Sequence, residues 1–206
     1  MAKAPVAAEA APTKAAPTRR LFFALWPAPP LQAALAATGE RIARTRKLEG
    51  RTIPAQRLHL TLLFLGEVAA DAEKRLTAAA GRIEARPFDL ILDRAGCFYR
   101  SKVFWLGPQA VPRKLTELAE ALHAAMAGVG LAPDRKELVP HVTCRRDIRH
   151  VIKPVPVDPV IWQARSFALV ESVAGPPAQY HVVSQWPLQN ASMPSVKTVQ
   201  SPGGPE

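Results

Sequence analysis

The chain has 206 residues, 48% of them hydrophobic, which suits one globular domain or two small lobes sharing a core. No run approaches the ~18 apolar residues of a membrane span, and two cysteines without a C-x-x-C pair, Cys97 and Cys144, argue against a disulfide scaffold or a cysteine-type zinc site and for a reducing, cytoplasmic compartment. Lys and Arg number 27 against 17 acidic residues, a net charge of +10, which favours a polyanionic partner, most simply nucleic acid.

Residues 1–18 are nearly all Ala, Pro, Lys and Thr, lack the apolar core of a signal peptide, and read as a disordered tail. Leu21–Trp26, short and aromatic, reads as a buried strand. Pro29 and Pro30 open an alanine-rich helix to about Arg46. Leu58–Leu65 is a second apolar strand, stopped at Gly66, and Asp71 can cap a helix running to about Ala85. Phe88–Asp93 and Lys102–Gly107 follow as strands on either side of a turn. Pro112–Gly128 is helical, with Leu115, Leu118, Ala119, Leu122 and Met126 on one stripe. Val139–Cys144, Ser166–Glu171 and Tyr180–Trp186 complete the strands, and the Ser-, Pro- and Gly-rich residues 191–206 form a second tail. The tails carry Lys3, Lys14 and Lys197 against Glu9 and Glu206, so a net +9 sits on the body, residues 19–190. Mixed strands and helices with mostly antiparallel strand pairs indicate an α+β fold. No heptad pattern calls for an oligomer, and a monomer is expected.

Shifting the sequence by 82 residues places His59 on His141, Thr61 on Thr143, Leu21-Phe22-Phe23 on Val103-Phe104-Trp105 and Pro30 on Pro112. Each half runs aromatic strand, proline-opened helix, then a strand carrying H-x-T. Such an ungapped repeat indicates duplication. Two copies of one unit tend to pack about a pseudo-two-fold axis, which puts both H-x-T faces on one cleft.

On a strand, residues i and i+2 share a face, so His59 pairs with Thr61 and His141 with Thr143, while Leu58, Leu60, Leu62, Val142 and Cys144 point into the core. A polar pair on an apolar strand is costly unless it lines a cavity or is hydrogen-bonded. Two imidazoles flanking a phosphodiester can divide the work, one taking a proton from the nucleophile and the other protonating the leaving oxygen. The threonine hydroxyls can hold non-bridging phosphate oxygens. Two histidines and two hydroxyls without carboxylates make a poor metal set, and no cofactor is called for.

The stretch LHLTLLFLGE at 58–67 resembles the first signature of the 2H phosphoesterase superfamily, and PHVTCRR at 140–146 resembles the second. Both are similar to the branch of RNA 2′,3′-cyclic phosphodiesterases, also called 2′–5′ RNA ligase-like proteins. RLFFALWP at 20–27 and ESVAGPPAQYHVVSQWPL at 171–188 resemble the same branch, so the likeness covers roughly 19–188. The resemblance implies a bilobal α+β fold with antiparallel sheets lining a central cleft and helices outside. It also implies a substrate, RNA ending in a 2′,3′-cyclic phosphate, hydrolysed to a 2′-phosphomonoester. His59 would be proton donor to the departing 3′ oxygen and His141 the base that activates water. Thr61, Thr143 and Arg146 would bind the phosphate. Some relatives run the reverse, forming a 2′–5′ linkage. Cys144 stands where the branch commonly has an aliphatic residue.

Other residues read more plainly. Strand alternation puts Arg145, not Arg146, on the His141 face, so Arg146 rests on the resemblance. Arg20 and Lys102 can simply flank strands. Phe23 and Trp105 can stack a base, but aromatic strand residues more often fill cores. Tyr180, His123, His150 and His181 receive no catalytic role. The alternatives to the hydrolase are a phosphodiesterase acting on another cyclic or 2′–5′-linked nucleotide and a non-catalytic module that binds RNA ends.

Overall fold

The computed structural model describes residues 17–133, 137–175 and 179–189. The expected tails, 1–18 and 191–206, lie outside the described residues apart from Pro17 and Thr18, and Thr18 already opens the first strand. In chain order the elements are β1 (Thr18–Leu25), α1 (Pro29–Thr45), β2 (Arg51–Thr52), a 3-10 turn (Ala55–Arg57), β3 (Leu60–Ala69), α2 (Ala70–Ala80) and β4 (Phe88–Phe98). Then come β5 (Val103–Gly107), α3 (Arg113–Gly128), β6 (Val142–Arg146), β7 (Val155–Ala164), β8 (Ser166–Val173) and β9 (Gln179–Pro187). The fold is α+β. Its strands run in the order β7-β4-β5-β6-β3-β1-β8-β9, with β2 added beside β6, and every pairing is antiparallel.

The two halves of this sheet, β7-β4-β5-β6 and β3-β1-β8-β9, meet through one residue pair, Leu60 with Val142. These are positions 82 apart, so the join lies between matching points of the two H-x-T strands. The ungapped offset does not extend to the other elements. Ala24 lies opposite Thr61 and Trp105 opposite Thr143, so β1 and β5 correspond at a spacing of 81, and Phe22-Phe23-Ala24 occupy the places of Val103-Phe104-Trp105. The helices open at Pro29 and Arg113, a further shift.

Alternation along β1 shows how the sheet's faces are used. Leu21, Phe23 and Leu25 join a core with Leu35 of α1, Leu76 of α2 and Leu115, Leu118 and Leu122 of α3. Phe22 and Ala24 point to the opposite face, where they pack with Ala168 and Val170 of β8 and with Trp26 and Tyr180. The helices therefore cover one face, and the other carries a small aromatic cluster open to the cleft. Phe23 is fully buried on the helix side against Phe167 and Trp186, with ring centroids 6.3 and 6.0 Å away, so it cannot stack a base.

Several boundaries differ from the sequence reading for identifiable reasons. Strand β3 does not stop at Gly66. That glycine adopts φ of 74°, and the register slips between Leu21–Gly66 and Phe22–Phe64, so the chain bulges and the strand continues to Ala69. Asp71 is not the cap of α2; Ala69 holds that position, and Asp71 sits in the first turn bonded to Arg75 at 3.1 Å. The helix ends at Ala80, short of Ala85. Strand β7 is not signalled because Pro156 and Pro159 interrupt it. It is tolerated as an edge strand, where missing N–H groups need not meet a neighbour.

Leu60 is fully buried at the join of the two halves. Truncating it leaves a cavity that neither half fills, so Leu60→Ala should lower the unfolding free energy by about 2–5 kcal/mol, read from the urea midpoint at unchanged slope.

Candidate active site

A cleft of about 330 Å³ opens on the sheet face opposite the helices. His59, Thr61, His141, Thr143 and Arg146 all line it. Both histidines lie immediately before their strands, and continuing the Leu60–Val142 register by one residue in each direction sets His59 opposite Thr143 and Thr61 opposite His141. In an antiparallel pair, directly opposed residues are ~5 Å apart at Cα. The polar faces of the two H-x-T strands thus meet on one cleft. The residues between them, Leu58, Leu60, Leu62, Val142 and Cys144, are buried on the helix side.

Both rings are held in the same way. His59 Nδ1–H donates to the Arg57 carbonyl at 2.7 Å, and His141 Nδ1–H donates to the Val139 carbonyl at 2.7 Å. A backbone carbonyl only accepts, so each neutral ring carries its proton on Nδ1 and leaves Nε2 as the nitrogen with a free lone pair. Protonation then adds a donor at Nε2. The same nitrogen can act as base in one state and acid in the other.

The surroundings of the two rings differ. Trp26 stacks on His59 at 5.4 Å and 10°, Phe22 lies 5.0 Å away, and Tyr180 meets it edge-on at 5.2 Å. Among the described residues His141 has one aromatic neighbour, Phe98, edge-on at 4.8 Å and backed by Trp105 at 5.4 Å. Burial drives the His59 imidazole down to about 4, against the opposing hydrogen bond to Arg57; the charges of His141, Arg146 and Arg57 push the same way as burial. Burial lowers His141 as well, and Arg146 adds to it. Both imidazoles are thus held below the ordinary histidine value, His59 down to about 4.

Arg146 lines the cleft because β6 does not alternate evenly. Thr143 lies opposite Trp105 and Arg145 opposite Phe104, so β6 advances two residues where β5 advances one. This bulge sends Cys144 and Arg145 to the helix side together. Cys144 lies against Gly39 of α1, and Arg145 bonds the Leu48 carbonyl at 2.9 Å and Glu40 at 2.5 Å. The parity flips, and Arg146 returns to the face of Thr143. Simple alternation, which assigned Arg145 to that face, fails here. The H-x-T strand of the first half bulges at the matching place, since Ala24 opposes Thr61 while Phe23 opposes Leu63, and it brings Phe64 into the cleft. One half therefore offers a guanidinium and the other an aromatic plane.

Burial holds the Cys144 thiol up near 12, far from a reactive thiolate. Arg20 lines the cleft while Lys102 sits in the β4–β5 turn at φ of 50°. Sequence reasoning missed Arg57, Phe64 and Ser172 and gave no role to Tyr180, and all four line the cleft. The alternation of Ala168, Val170 and Ser172 along β8 marked one face, but nothing local said that β8 lies beside β1 and carries Tyr180 of β9 opposite Ser172. A larger apolar groove of about 800 Å³ lies along α3 beside His123, away from both H-x-T strands' polar faces. No helix among the described residues is long and apolar enough to cross a membrane.

A histidine held low when folded binds fewer protons than it does in the unfolded chain between its ordinary value of ~6.5 and about 4. Its contribution to stability is complete above that range and is lost as pH falls through it. His59→Gln should therefore show a shallower loss of stability between pH 6.5 and 4 than the parent chain, followed by urea unfolding at each pH.

The model of the 2'-5' RNA ligase superfamily matches residues 29–183. The RNA 2',3'-cyclic phosphodiesterase of Escherichia coli K12 is 39% identical over 145 residues, covering 68% of this chain and 80% of that relative. The protein of the same name from Methanocaldococcus jannaschii is 28% identical over 154 residues, covering 68% of this chain and 86% of its own. The crystal structure of E. coli LigT complexed with 3'-AMP superposes with a TM-score of 0.73 at 34% identity, covering 84% of this chain and 100% of that one. With both H-x-T motifs on one cleft and these matches over most of its length, the chain belongs to the 2'-5' RNA ligase superfamily.

Proposed function

We propose that this protein hydrolyses the terminal 2′,3′-cyclic phosphate of RNA to a 2′-phosphomonoester, with paired imidazoles moving the protons and no metal taking part. The observation that carries this reading is the pair of histidines on one cleft, each tied at Nδ1 to the carbonyl two residues before it, with Thr61 and Thr143 lining the same cleft. Relatives named RNA 2',3'-cyclic phosphodiesterase support the substrate class, and a solved relative complexed with 3'-AMP supports a nucleotide carrying phosphate on its ribose.

In this mechanism His141 takes a proton from water through Nε2 as the water oxygen attacks phosphorus. The bond from phosphorus to the 3′ oxygen breaks, and His59 delivers its Nε2 proton to that oxygen. Thr61 and Thr143 donate to the non-bridging oxygens, and Arg146 balances their charge as it grows in the transition state. A turnover leaves His59 neutral and His141 protonated, and exchange with solvent restores both.

Burial works against the donor role of His59 in the free protein, so that role requires substrate binding to put a proton on it. His59 is neutral in the free protein at pH 7, so the anionic phosphate supplies the charge that holds a proton on it. Binding and proton uptake at His59 are coupled. All these groups come from one chain, so the reaction needs no second copy, and the unpaired Cys97 and Cys144 suit a reducing cytoplasm.

A short RNA ending in a 2′,3′-cyclic phosphate should be opened in the presence of EDTA to a 2′-phosphate end, identified by chromatography against 2′- and 3′-phosphate standards. His59→Ala and His141→Ala should each lower kcat by at least ~10²-fold with the circular dichroism spectrum unchanged. A variant that keeps near wild-type turnover contradicts the two-histidine mechanism. Binding without turnover in the parent chain favours a module that only holds RNA ends.

A further inference from the structure

Two cations that line the cleft, Arg20 and Arg57, are left without work by the mechanism above, and Arg57 is the one built against His59. Arg57 closes the 3-10 turn Ala55–Arg57, two residues before His59. Its backbone is held at both ends of the peptide unit: the N–H donates to the Pro54 carbonyl at 2.9 Å, and the carbonyl accepts from His59 at 2.7 Å. The preceding carbonyl, of Gln56, accepts from the buried Gln32 side chain of α1 at 3.4 Å. Turn and imidazole therefore hold a set spacing. The guanidinium lies over the Tyr180 ring at 4.9 Å, and Tyr180 in turn meets His59 edge-on.

Despite this placement the guanidinium is unsatisfied. Nε and Nη1 of Arg57 are buried and have no hydrogen-bond partner, and no carboxylate lines the cleft among the described residues. Buried guanidinium nitrogens ordinarily find acceptors, and a guanidinium that lines the cleft without one keeps its charge for an incoming anion. The reacting phosphate is already served. Arg57, two residues before His59 and over the Tyr180 ring that meets His59, stands on the His59 side of the cleft.

We infer that Arg57 binds a second phosphate, the one on the 5′ side of the terminal nucleotide, so that the cleft selects the end of an RNA chain over a lone nucleoside cyclic phosphate. The inference rests on the proposed role of His59 as acid to the 3′ oxygen. That oxygen belongs to the last ribose, which places the nucleoside on the His59 side, and its 5′ carbon leads to the next phosphate. A planar guanidinium on the cleft wall, over an aromatic ring, suits a phosphodiester oxygen better than a point charge would.

Calorimetric dissociation constants for adenosine 2′-monophosphate and adenosine 2′,5′-bisphosphate, at one fixed low salt concentration, test it on the full chain. The parent protein should bind the bisphosphate at least about tenfold more tightly. In Arg57→Gln the ratio of the two constants should fall to near one, and Arg57→Lys should keep a several-fold preference. Equal constants in the parent, a ratio that survives in Arg57→Gln, or an Arg57→Gln variant that weakens both ligands by the same factor each overturn the assignment. Hydrolysis of adenosine 2′,3′-cyclic phosphate, measured in parallel, reports separately on the proposed reaction: its absence counts against that reading, while the binding ratio still decides the role of Arg57.

Discussion

The antiparallel contact between Leu60 and Val142 is the constraint on which the site depends. It is one residue pair, yet it joins the two halves of a nine-stranded sheet and sets the register of both H-x-T strands at once. Had the halves met one residue out of step, the polar faces would have turned toward the helices and the leucines toward the cleft. The apolar side of the join pays for this register, because Leu58, Leu60, Leu62 and Val142 are buried together in the helix-side core. The polar side receives His59, Thr61, His141 and Thr143 as a consequence of parity. Catalytic geometry here is the reverse face of a packing problem.

Across this symmetry the two histidines stand in unlike surroundings. The backbone treats them alike, with the same Nδ1 to carbonyl contact in each half. The difference comes from the neighbouring strands. β1 and β9 bring Phe22 and Tyr180 against His59, and Trp26 closes over it. Among the described residues the second half presents Phe98 alone to His141. Bulges at matching places add a second asymmetry by turning Phe64 and Arg146 into the cleft. A duplicated frame with diverged side chains thus yields one polarised site.

Much of this was legible in the amino-acid sequence, and the limits are informative. The periodicity of LHLTLLFL and PHVTC showed which side chains share a face, because alternation is local and the burial of the leucines enforces it. Arg146 escaped that reasoning, since a bulge is set by the partner strand and not by the residues that bulge. Strand β7 was missed because its prolines are acceptable only at an edge, and edge position is a property of the whole sheet. The aromatic wall around His59 was invisible for the same reason: Phe22, Trp26 and Tyr180 come from distant segments that meet only when β8 and β9 join β1. The offset of 82 located the two motifs correctly, whereas the strands and helices around them have slipped by a residue or more.

The central claim is that two rings in the same tautomer are driven apart by their packing, and that phosphate reverses the state of one of them. Nitrogen-15 resonances of the histidine side chains, titrated with and without adenosine 2′-monophosphate, test it directly. The account predicts Nδ1–H tautomers for both His59 and His141, a His59 titration near 4 in the free protein, and a clear rise of the His59 value with ligand bound. A His59 that titrates near its ordinary value when free, or that does not respond to the ligand, would contradict it.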